Sequence, residues 1–243
     1  MDPANSAKRR RLLLLGAAVL ALLAIVVVLA RGYLGPDRAT VRRLRAWIDA
    51  PQRYPHWRID AGDRCGDAPM LMPTSGTVGW AWDSRFRPGH RHSGLDIFSP
   101  DGQLGVTPIV AAADGLLSRA EDWRSSVIIR HPELEAPGMF DAGDTVWTYY
   151  THMASVDGET SYIDAAFPPG TRDAPVAAGK RLGYQGRWSG SPSAPTGLHL
   201  PFSVVRSTPE GSYADETDIA NTYDPVPFLG LAQDEAGVLV CAE

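Results

Sequence analysis

His92-Ser93-Gly94-Leu95-Asp96-Ile97-Phe98, followed by Gly105-Val106-Thr107-Pro108-Ile109-Val110-Ala111 and Ala113-Asp114-Gly115-Leu116, is the stretch that decides the fold. Its apolar runs are only a few residues long, rich in β-branched side chains, and cut by glycine, proline and aspartate, the pattern of short strands joined by tight turns. The same texture continues on the C-terminal side. Leu95 to Phe98, Ile109 to Ala112, Val127 to Arg130, Val146 to Tyr150 and Leu198 to Val205 read as strands. Pro100-Asp101-Gly102, Ala113-Asp114-Gly115, Phe167-Pro168-Pro169-Gly170 and the loop from Ser189 to Gly197 read as turns between them. No segment after about Met70 has a helical period and no internal repeat is visible, so the body is expected to be a mainly antiparallel β-sheet fold.

Four histidines, His92, His131, His152 and His199, stand with Asp96 on these strands or at their ends. His92 and Asp96 lie four apart around Gly94, where the chain can turn and aim both side chains at one point. Nitrogen and oxygen donors of this kind suit Zn²⁺, which keeps a coordination position open for water and lowers its pKa to ~7. In isolation, His-x-x-x-Asp is more often a solvated loop histidine beside a turn aspartate. His56, between Pro55 and Trp57, reads as a surface or packing residue. Trp80, Trp82, Trp123, Trp147 and Trp188 suit a core or the wall of a groove. Ser84, Ser93 and Ser203 lack a nucleophile-elbow context, which speaks against a serine hydrolase.

In order along the chain, these segments resemble the lysostaphin/LytM-type zinc metallopeptidases, metallopeptidase family twenty-three. Beyond the opening stretch, Val127-Ile128-Ile129-Arg130-His131 and Tyr150-Thr151-His152-Met153 match the family's strands, the latter its Tyr-x-His-Leu strand. Gly179 to Gly186 matches its glycine-rich return, Thr196-Gly197-Leu198-His199-Leu200 leads into its His-x-His strand, and Asp224 to Leu229 matches its usual end. The resemblance spans residues 70–230. It implies an antiparallel lysostaphin/LytM-like core of the duplicated hybrid motif type, acting on stem or bridge peptides of bacterial peptidoglycan. It makes His92 and Asp96 metal ligands and His152 and His199 the catalytic pair.

One position departs from the pattern. The third ligand should be the second histidine of His-x-His, and that place holds Pro201. Side chains alternate along a strand, so residues 199, 201 and 203 share a face, and the proline ring should point where the ligand belongs. Proline offers no donor atom there. The expectation is a domain impaired in catalysis, with weak or absent zinc binding, that serves in wall binding or in regulating a wall amidase or division protein. The alternative is an active zinc metalloendopeptidase whose ligand set is completed by His90, His131 or His199.

Upstream, Lys8-Arg9-Arg10-Arg11 precedes 19 uncharged residues, Leu12 to Ala30, and then Arg31. As a helix the run is ~28 Å long, enough to cross a bilayer core. The cations predict a cytoplasmic tail (1–11), an anchor (12–30) and an extracytoplasmic body on a bacterial cytoplasmic membrane. A cleaved signal peptide is the competing reading. Residues 31–69 read as a stalk and connector, with a short helix from Asp37 to Ala50 as stalk or packing element and a connector from Gln52 to Pro69, and 231–243 read as a tail.

The chain has 243 residues and a net charge of −5. Without the five cations and one anion of residues 1–31, the rest carries 18 basic and 27 acidic side chains, a balance that excludes nucleic acid as a partner. Cys65 and Cys241 suit one disulfide outside the cytoplasm, or two free thiols.

Overall fold

The structure, a computed structural model, describes residues 3–34, 37–85, 89–140 and 144–242; within the first helix, side chains are described for 13–28. The chain divides into two units, residues 1–37 with 85–90, and residues 38–84 with 91–243.

In the first unit the backbone forms one helix, α1 (Pro3–Leu34). Its described side chains are all exposed leucines, valines, alanines and an isoleucine. The anchor read at residues 12–30 lies partly outside the described side chains, and among the described residues no helix is long and apolar enough to cross a membrane.

The second unit opens with α2 (Arg38–Asp49), which ends before Pro51. Among the described residues twelve strands follow: β1 (Thr77–Trp80), β2 (Leu95–Phe98), β3 (Pro108–Val110), β4 (Gly115–Ser118), β5 (Val127–His131), β6 (Val146–Tyr150), β7 (Ala174–Val176), β8 (Arg181–Tyr184), β9 (His199–Val205), β10 (Thr222–Tyr223), β11 (Leu231–Gln233) and β12 (Leu239–Cys241). A short helix, α3 (Pro225–Leu229), sits between β10 and β11. Asp224 starts it by accepting the Val226 N–H, Pro225 presets its first turn, and Gly230 ends it in the left-handed region.

The main sheet has eight strands in the order β1-β2-β9-β6-β5-β4-β7, with β10 also on β9, and every pairing is antiparallel. The mainly antiparallel β architecture is therefore the one expected. β3 pairs with β8, and β11 with β12, in two small separate ladders.

Alternation sorts the sheet into two faces. Leu95 and Ile97 of β2, Ile129 of β5, Tyr150 of β6 and Leu200, Phe202 and Val204 of β9 enter the principal core. Asp96, Phe98, His199, Pro201, Ser203 and Val205 take the opposite face. On that face two aromatic clusters gather. One joins Phe98 to Trp47, Trp57 and Val238, and the other joins Trp147 and Val205 to Tyr149 and Tyr213. The stretch read as a connector is packed structure: Trp57, Ile59 and Cys65 are buried, and Cys65 is bonded to Cys241 across 176 residues.

Candidate active site

The turn from His92 to Asp96 lies against β9. Gly94 is obligatory there, because a Cβ would stand 2.3 Å from the Phe202 carbonyl oxygen. Backbone bonds hold the start of the turn, with the His92 N–H donating to Ser84 and the His92 carbonyl accepting from Asp83. Beyond the turn, β2 pairs with β9 so that Asp96 stands opposite Pro201 and Phe98 opposite His199. Paired residues share a face, so the four side chains line one patch of sheet.

Three donors converge on this patch. His92 Nε2 lies 3.1 Å, and His199 Nε2 3.5 Å, from Asp96 Oδ1. Each imidazole is oriented from behind: His92 Nδ1 donates to the Ala81 carbonyl at 3.2 Å and His199 Nδ1 to the Gly197 carbonyl at 2.9 Å. An imidazole so held presents the lone pair of Nε2 and reaches a carboxylate only by taking up a proton. The Phe98 ring stacks on His199 at 4.7 Å, and the His152 ring meets His199 edge-on at 5.0 Å. His152 has a left-handed backbone, φ +66°, unusual for a side-chain-bearing residue and common at functional sites.

Protonation follows from these contacts. Burial pushes the Asp96 carboxyl up, yet His199 and His92 outweigh it and hold the group well below the usual carboxylate range. Burial opposes charge on His92, but Asp96, with the Ala81 and Gly94 backbone, raises its pKa. His152 is pushed down to about 3 by burial and by His199, so it is a neutral imidazole near pH 7. The cluster thus couples an ionised carboxylate to a proton-holding histidine beside a neutral one, a set able to accept and donate hydrogen bonds to a peptide group.

No protein-family model matches the chain, and no curated protein does. Solved structures align with it weakly. Helicobacter pylori Csd3 is 17% identical over 72% of this chain and 35% of its own, with a TM-score of 0.38. A Ruminococcus gnavus protein named as a glycyl-glycine endopeptidase lytM is 20% identical over 56% and 44%, with a TM-score of 0.35. A mutant catalytic domain of the prophage-encoded M23 protein EnpA from Enterococcus faecalis is 21% identical over 65% and 97%, with a TM-score of 0.35. The chain spans about a third of the length of Csd3.

A catalytic zinc centre needs three protein ligands and an open position. His92 and Asp96 would supply two, the His92 ring being backed by the Ala81 carbonyl in the manner usual for a metal ligand. The neighbouring place on the shared face is Pro201, which has no donor. Among the described residues no group of three His, Cys, Asp or Glu side chains is arranged to hold a metal ion. The residues therefore do not fit a three-ligand zinc centre that leaves both His152 and His199 free.

The other histidines lie elsewhere. His131 is buried at the end of β5, its Nδ1 donating to the Asp114 carbonyl at 2.7 Å and its Nε2 2.8 Å from Thr148 Oγ1. His56 packs edge-on against Trp57, and His90 belongs to the first unit. Trp147 is core, and Trp82 donates to Thr222 Oγ1. Sequence reasoning misses Phe98 as a partner of His199. The signal is present, because Phe98 lies two residues after Asp96 on the same strand.

Proposed function

We propose that this chain is a membrane-tethered lysostaphin/LytM-like domain that binds stem or bridge peptides of bacterial peptidoglycan and does not itself hydrolyse them. The observation that carries this reading is the pairing of Asp96 with Pro201, which puts a donorless ring where the motif order calls for a histidine. The remaining residues still form a hydrogen-bonding patch, with Asp96 ionised and His152 neutral. Such a patch suits recognition of a peptide backbone. A domain that grips wall peptides without cutting them fits a role in positioning or regulating a wall amidase or division protein. The basic tail and the apolar run at residues 12–30 support a tether in the cytoplasmic membrane with the body outside.

A second reading, a working zinc endopeptidase, rests on His199 Nε2 at 3.5 Å from Asp96 Oδ1. There His199 would complete the ligand set in place of Pro201, leaving His152 as the only imidazole for proton transfer.

Purified sacculi and the full chain in detergent separate the two. The proposal expects co-sedimentation with sacculi and no zinc-dependent release of peptide fragments, while Pro201→His gains release. Release by the unmodified chain would establish the second reading. Failure to co-sediment would overturn the proposal, and failure to co-sediment together with no zinc-dependent release would overturn both.

A further inference from the structure

Apart from the histidine patch, the body carries a cavity of about 420 Å³ lined by Arg119, Glu121, Trp123, Arg124, Glu159 and Ser161, among others. Arg119 is its deepest charged group, only 6% exposed. Its guanidinium donates to the carbonyls of Trp123 at 2.9 Å and Phe167 at 2.8 Å, and to Ser161 Oγ at 3.3 Å. All three acceptors are neutral. Among the described residues no carboxylate forms an ion pair with Arg119, and burial lowers its pKa. A buried cation satisfied only by neutral groups keeps an uncompensated charge and unused N–H donors, so an anion arriving beside it gains more than it would at the surface.

The rest of the lining narrows the class of ligand. Arg124 is exposed at the rim, its Nη1 3.5 Å from the Gly158 carbonyl and its guanidinium 6.0 Å from the centre of the Trp188 ring. That long hydrogen bond leaves it able to swing onto a carboxylate in bidentate fashion. Glu121 and Glu159, both exposed, bring negative charge to the same cavity. Two cations and two anions around an indole match a ligand with both charges close together. The volume falls within the range of small-molecule sites, ~300–1,000 Å³.

We propose that this cavity binds the zwitterionic end of a short peptide or amino acid, its carboxylate on Arg119 and Arg124 and its ammonium on Glu121 and Glu159. The site is separate from the histidine patch and does not depend on what that patch does. The two share a wall: Trp188 lies against Gly158, where an added Cβ would come within 2.7 Å of the indole, and the Trp188 backbone faces His152, favouring its protonated form.

Calorimetric titration of the full chain in detergent with alanylalanine, its C-terminal amide and its N-acetyl form tests the assignment. Alanylalanine should bind with a Kd of about 1 mM, and blocking either end should weaken binding about tenfold. In Arg124→Gln, amidation should lose most of its effect while N-acetylation keeps its own. In Glu121→Gln/Glu159→Gln, the reverse should hold. These surface changes leave the fold intact, checked by an unchanged Tm. Absence of binding by the unmodified chain, or an amidation penalty equal in Arg124→Gln and the unmodified chain, would overturn the proposal. Neither result touches the zinc-dependent release of fragments by Pro201→His, which reads the histidine patch.

Discussion

Pro201 is one residue in a strand of seven, and it decides what the patch around Asp96 can do. Restoring a donor there should restore metal binding: Pro201→His is expected to hold about one zinc per chain in equilibrium dialysis, and the unmodified protein far less. Gly186 is decisive in a different way. A Cβ there would lie 2.1 Å from the Ala154 carbonyl oxygen and 2.5 Å from that of His152, both backbone atoms that cannot step aside. Gly186→Ala should cost more than about 2 kcal/mol in urea unfolding and disturb the left-handed turn that carries His152. His131, 2% exposed, is held between the Asp114 carbonyl at 2.7 Å and Thr148 Oγ1 at 2.8 Å, where burial opposes a charged ring. Burial lowers its pKa from 6.5 to about 4, against the opposing pull of Asp114. The unfolded chain therefore binds more protons than the folded one between those values. Stability from this residue is complete above pH 6.5 and falls as the pH drops through 4, by about 3 kcal/mol. His131→Leu should flatten that part of the pH–stability curve.

Helix α2 shows how an element acquires a role its own sequence only hints at. Its apolar stripe, Leu44, Trp47 and their neighbours, suits a stalk as well as a packed helix. In the fold, Trp47 is 1% exposed and belongs to the cluster that contains Phe98, the ring stacked on His199. Trp47→Ala should lower stability by about 3–5 kcal/mol. Trp47→Phe should cost much less, because among the described residues the buried Trp47 Nε1 donor has no hydrogen-bond partner, so no bond is lost when it goes. Thermal melts of the two variants distinguish a packed helix from a loose stalk.

Across the whole molecule, the Cys65–Cys241 bond ties the segment after α2 to the last strand. It closes a loop spanning nearly the entire second unit, so Cys65→Ser/Cys241→Ser should lose about 2–5 kcal/mol in chemical denaturation. Much of this organisation is legible in the chain itself. Leu95–Phe98 and Val146–Tyr150 have the same bounds in the sequence pattern and in the structure, because each is a compact apolar run between turn residues. β1, β4, β7 and β8 escape such a reading, being only three or four residues long and interrupted by glycine or proline, too short for a period to show. The alternation along β9 is enough to say that Pro201 shares a face with His199. By itself, then, the sequence determined the strand-rich class, the candidate donors and the missing one, since these depend on residue identity and a period of two. Only the tertiary structure decided that Asp96 sits between two imidazoles, that α2 backs Phe98 and that Arg119 is buried with no carboxylate paired to it among the described residues. Those facts depend on strand register and on packing between residues far apart in the chain, which no local pattern encodes.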